Sequence, residues 1–158
     1  MKYKHSRMKR ELLITVSTCP IATINAPIER VWELLAVPAN YDLWWDAKTR
    51  SIVPEGRARV GQRVNAKAGG FTILLTVDTV DESKHKIDFT TKFPFGITGF
   101  NHLTCTALPN STTQVSFGLD FAFSPVWWGW ILEHFGSKQL HDSVADSLAR
   151  LKRAAERT

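Results

Sequence analysis

The chain predicts an α+β fold in which one seven-stranded antiparallel sheet wraps around a long C-terminal helix, with two short helices after the first strand. Three observations carry this expectation. Residues 49–123 break into short runs rich in β-branched and aromatic residues, separated by Gly, Pro, Asn and Asp turns too short for crossover connections. The stretch before them spaces its apolar residues as a helix does, and the stretch after them carries one continuous helical stripe.

Taken in order, "ELLITVSTCPIATI" is β-branched and reads as a strand interrupted by Pro20. In "NAPIERVWELLAV", Ile28, Val31, Trp32, Leu34 and Leu35 fall at helical spacing behind Asn25, Ala26 and Pro27, and Pro38 ends the helix. "ANYDLWWDA" supplies a second short helical segment. Six strands follow, with turns at Glu55-Gly56, Gly69-Gly70, Asp81-Glu82-Ser83, Pro94-Phe95-Gly96 and Pro109-Asn110-Ser111. The last element opens with Ser124 as N-cap and Pro125 at the first helical position and runs to about Arg157; its apolar stripe is Leu140, Val144, Leu148 and Leu151. A sheet gripping this helix on its concave face buries both apolar surfaces at once, the arrangement called a helix-grip fold.

With 44% hydrophobic and 22% charged residues, the composition is that of a globular domain and excludes disordered, collagenous and disulfide-scaffold classes. The net charge of +5 is local. Residues 1–11 hold Lys2, Lys4, Arg7, Lys9 and Arg10 against Glu11, so residues 12–158, read as one domain, are nearly neutral and show no basic face for nucleic acid. The arm and the "LLITVSTC" behind it imitate a secretory leader, but Thr15, Ser17 and Thr18 break the apolar run. No run reaches the roughly 20 apolar residues of a membrane-spanning helix. Cys19 and Cys105 sit far apart in strand-like contexts and read as reduced, half-buried thiols of a cytoplasmic protein.

Four stretches carry a resemblance to a known superfamily: "INAPIERVWELLAVPANYDLWW", "VGQRV", "LPNSTTQVSF" and "LARLKRAAE". In this order and spacing the chain, from about Ile14 to its end, resembles the START-like (SRPBCC) superfamily of polyketide cyclase/dehydrase-like, Bet v 1-like and lipid-transfer proteins. The resemblance implies a helix-grip fold with a cavity for an apolar ligand between sheet and final helix, and it leaves the chemistry open, since only some members are enzymes.

Strand parity gives a separate reading of the cavity. Taking the apolar parity as inward places Gln62, Phe71, Phe89, Phe100, His102, Thr104, Thr106, Phe117 and Phe121 toward the helix. A histidine or glutamine on so apolar a face needs a partner, either internal or supplied by a ligand. Extending the helical stripe back from Leu140 reaches Gly136, Glu133 and Gly129, glycines where the second half has leucine and valine. Each glycine lowers helix propensity by roughly 1 kcal/mol, so either the sheet approaches closely or space is left for a ligand. Trp127, Trp128 and Trp130 then fan around the helix entrance as an aromatic rim, with a homodimer contact and a membrane-touching lip as alternatives. Trp44 and Trp45 border the same entrance by analogy with the superfamily.

No metal-ligand spacing, phosphate loop, nucleophile elbow or dinucleotide fingerprint is present, so neither metal nor cofactor is expected. The leading expectation is binding, transport or sequestration of a hydrophobic small molecule: a lipid, a polyketide or an aromatic compound. A cyclase or dehydratase using His102 with Glu133 or a threonine hydroxyl is the enzymatic alternative, and a protein-interaction module is the third.

Overall fold

The computed structural model describes residues 14–123 and 128–157, with side chains described for 17–123, 136 and 138–157. Pro20 splits the expected first strand in two. β1 (Ile14–Thr18) and β2 (Ile21–Ile24) both pair antiparallel with the last strand, so the sheet has eight strands where seven were expected. Proline cannot donate to the ladder, and the chain re-enters pairing one step later.

Helix α1 (Ile28–Ala36) is capped by Pro27 and buries Val31, Trp32, Leu35 and Ala36. A 3₁₀ helix over Pro38–Leu43 follows and places Tyr41 in the core. Then come β3 (Lys48–Val53), β4 (Arg63–Ala68), β5 (Phe71–Asp81), β6 (Lys86–Lys92), β7 (Thr98–Leu108) and β8 (Thr112–Phe123). All neighbours are antiparallel, in the order β1-β8-β7-β6-β5-β4-β3. Helix α2 (Trp128–Glu156) crosses the inner face. The fold is a helix grip.

The C-terminal half of α2 makes the tightest seam. Val144, Leu148, Leu151 and Ala155 are buried with β2, β8 and α1 residues in one cluster. Arg30 of α1 donates to the carbonyls of Ala155 (2.5 Å) and Arg157, groups that a helix end leaves without internal partners. Glu156 accepts from the Asn25 backbone N–H at 2.7 Å, and Lys152 donates to the Thr23 carbonyl at 2.7 Å. The expected capping residues Ser124 and Pro125 lie outside the described residues.

The thiols differ from the expected half-burial. Cys19 is exposed beside Ser116, whereas Cys105 is buried and its thiol is pushed up to about 12 by desolvation.

A polar knot ties α1 to the β5–β6 turn. Trp32 Nε1 donates to Glu82 at 2.5 Å, and Arg57 bridges Glu82 (2.7 Å) and Glu33 (2.6 Å). The hydrogen bond from Arg57 outweighs the partial desolvation that would raise the Glu82 carboxyl and, with a further hydrogen bond from Trp32, holds it below its ordinary range. A depressed carboxyl contributes stability that is present above its unfolded value and lost as pH falls through the folded one. The thermal midpoint of Glu82→Gln should therefore lie below wild type at neutral pH. That gap should close as pH drops through and below the ordinary glutamate value of about 4.3; a gap that widens in acid would contradict the assignment.

Candidate functional site

Between α2 and the inner face of the sheet lies a cavity of about 490 Å³. β8 forms its back wall, because its burial alternates without a break and Phe117, Leu119, Phe121 and Phe123 all point inward. Ile73 of β5, with Thr91 and Phe93 at the end of β6, extends the wall, and Gly136, Leu140, Ser143, Val144 and Ser147 of α2 form the roof. Gly136 is the position where the sequence left two readings open. A Cβ built there meets nothing within 4 Å among the described residues, so toward them the glycine leaves space and does not serve a close contact.

The polar groups in this wall are few and specifically placed. Asn101 of β7, 8% exposed, donates its amide hydrogens to Thr91 Oγ1 (3.0 Å) and the Phe89 carbonyl (3.4 Å). Its own carbonyl oxygen remains as an acceptor, and Thr91, which accepts from it, retains a hydroxyl hydrogen to donate. At the mouth, Asp46 accepts from Ser143 Oγ (3.0 Å) and pairs with Arg150 (3.4 Å), clasping the Trp45–Ala47 loop to α2. Asp46 is the single ionisable side chain among the described residues of the lining.

Of the residues expected from sequence, Phe71, Phe117, Phe121, Gly136, Leu140 and Trp45 line this cavity. Phe89 is buried beside it, edge-on to Tyr41. Trp44 is buried with its indole N–H on the Leu34 carbonyl at 2.9 Å. Gln62 is fully buried away from it, donating to the carbonyls of Pro54 (2.7 Å) and Gly56 (3.1 Å), and so orders the loop before β4. Trp127 lies outside the described residues, as do the side chains of Trp128, Gly129, Trp130 and Glu133.

The β7 expectation is corrected. Phe100, His102, Thr104 and Thr106 face outward, and Gly99, Asn101, Leu103 and Cys105 face inward. Phenylalanine content misled the parity. The inner face of β7 meets large neighbours: a Cβ on Gly99 would sit 3.3 Å from Phe93 and 3.4 Å from Leu119 and Phe121, so small side chains belong there. The turn carried the missing signal. Pro109–Ser111 sets Leu108 opposite Thr112, which pairs Asn101 with Leu119 and Leu103 with Phe117 on a common face.

His102 thus sits across the sheet from the helix, 48% exposed, with Nδ1 2.9 Å from Asp88 and Nε2 3.8 Å from Asp120. Partial desolvation raises the Asp88 carboxyl, but hydrogen bonds from Thr79 and His102 and the neighbouring Lys86 outweigh it and hold it below its usual range. Among the described residues His102 forms no acid/base pair with a group on α2, since it faces away from the helix toward Asp88 and Asp120.

Solved structures share this architecture at low identity. Norcoclaurine synthase from Thalictrum flavum superposes with a TM-score of 0.70 at 14% identity, over 99% of this chain and 97% of that one. A protein from Thermus thermophilus gives 0.70 at 19% identity, over 89% and 97%. DynU16, a protein of the dynemicin biosynthetic locus, gives 0.63 at 20% identity, over 87% of this chain and 46% of that one. The sequence profile described as "Polyketide cyclase / dehydrase and lipid transport" matches residues 14–156. The chain belongs to that family. No curated protein matches it significantly in sequence. The matched span runs from β1 to the last residue of α2, so the family match takes in every described element of the cavity wall.

The open space at Gly136 yields a direct expectation. Gly136→Leu should stay folded, with a thermal midpoint equal to or above wild type because leucine favours helix by somewhat under 1 kcal/mol, and should lose binding of any apolar occupant. A midpoint lowered by the overpacking penalty of about 1–3 kcal/mol would contradict the open volume.

Proposed function

We propose that this protein binds a hydrophobic small molecule carrying one hydrogen-bonding group, such as a phenol or a conjugated ketone, between sheet and α2, for carriage or sequestration. The observation that supports this most is the pairing of a phenylalanine-rich wall with a fixed donor and acceptor at Thr91 and Asn101. Apolar burial supplies affinity at roughly 25 cal/mol per Å², and the two polar groups orient the ligand. A ligand lacking a polar group leaves both undersatisfied in a dry wall, which costs affinity.

Membership of a family described by cyclase, dehydrase and lipid transport fits an apolar occupant and does not choose between chemistry and carriage. Binding is favoured over catalysis on the placement of His102 behind the sheet and on Asp46 being tied to Ser143 and Arg150 at the rim.

Native mass spectrometry of the purified protein should show a retained apolar adduct. In titrations, 2-naphthol should bind the wild type more tightly than naphthalene by about tenfold, the worth of one good hydrogen bond in a dry site. Asn101→Leu should erase most of that preference while retaining naphthalene. Equal affinities in the wild type, or a preference unchanged in Asn101→Leu, would overturn the reading.

A further inference from the structure

Enclosing a ligand does not account for two aromatic rings at the cavity mouth. Phe95, in the turn between β6 and β7, is 86% exposed and holds φ 65°, a left-handed conformation that bulky side chains avoid. Phe71, at the start of β5, is 53% exposed and lies edge-on to Phe95 with ring centres 6.2 Å apart. The edge contact with Phe71 and a share of the cavity mouth are a small return for a strained backbone that leaves most of the ring in water, so a further partner is sought outside the molecule.

The same end of the sheet is cationic on its outer side. Lys67 pairs in register with Thr72, and Lys92 with Leu74, which places both within a few rungs of Phe71. Both lysines are exposed, and among the described residues neither has a carboxylate within ion-pair distance. Several acids of the surrounding strands and loops are engaged elsewhere: Asp42 with Lys48, Asp46 with Arg150, and Asp78 as acceptor from Thr90. Projecting aromatics with two uncompensated lysines at the same end of the sheet match the interface of an anionic bilayer, where rings enter the acyl boundary and ammonium groups meet headgroups.

We propose that the rim formed by Phe71, Phe95, Lys67 and Lys92 docks on an anionic lipid surface, with the cavity mouth opening onto the bilayer. An apolar occupant then passes between membrane and cavity without crossing water. That consequence rests on the binding reading above, whereas docking itself does not.

Cosedimentation of the full-length protein with phosphatidylcholine vesicles, with and without phosphatidylglycerol, tests the proposal. Wild type should partition preferentially to the anionic vesicles. Phe71→Ser/Phe95→Ser should lower that partitioning about tenfold or more, and Lys67→Glu/Lys92→Glu should remove the preference for phosphatidylglycerol, each variant keeping a wild-type far-UV spectrum. Gly136→Leu, which closes the cavity and leaves the rim intact, should still partition, so a failed ligand assay and a failed docking assay remain distinct. Absence of wild-type partitioning, or anionic binding unchanged in the rim variants as basic residues 1–11 alone would give, overturns the proposal. So does a soluble dimer that the same phenylalanine substitutions dissolve, which would assign the rim to a second copy of the chain.

Discussion

The seat of α2 on the sheet ends partway along the helix, and the site exists because it ends there. Val144, Leu148, Leu151 and Ala155 lock the C-terminal half against β2, β8 and α1, and each buried leucine contributes about 2 kcal/mol to that seam. Arg30, on carbonyls that the helix end leaves free, and the Asn25–Glu156 and Lys152–Thr23 hydrogen bonds fix the far end. With that half fixed, the helix direction is set, and the stretch from Ser143 back to Gly136 spans a volume that no side chain of the described residues fills. A glycine in this stretch costs helix propensity and keeps the volume open.

The opposite wall follows from side-chain size. β8 presents four large apolar residues, so the strand beside it must present small or polar ones on the same face: Gly99 faces the rings directly, and Asn101 turns its amide into a hydrogen bond with Thr91. The polar pair is therefore a product of the packing that makes the wall apolar. It is held from within the sheet, which gives it a fixed direction before any ligand arrives.

Much of the fold was legible in the sequence. Turn residues at Gly69-Gly70 and Pro109–Ser111 delimit strands within a residue or two of their observed ends, and helical spacing located α1 and the stripe of α2. The site was legible where one residue's environment followed from its own element, as at Phe117, Phe121, Gly136 and Leu140. It was not legible where the environment belonged to a neighbour. Asn101 and Thr91 form a pair only through register between strands, and His102 was misplaced because β7 was judged by its own phenylalanine and not by the strand it pairs with. Gln62 had the right burial and a different purpose, since its partners are backbone carbonyls in a loop whose path no periodicity encodes.

Ligand binding depends on an apolar space between Phe121 and the Gly136–Val144 segment of α2 that stays open without a ligand. The most direct measurement is a crystal structure of protein stripped of small molecules by unfolding and refolding, then pressurised with xenon, which partitions into dry apolar cavities. Xenon density among Phe121, Leu140 and Val144, with α2 in its present position, is the predicted result. An α2 collapsed onto β8, with Leu140 packed against Phe121 and no xenon between them, would contradict the account.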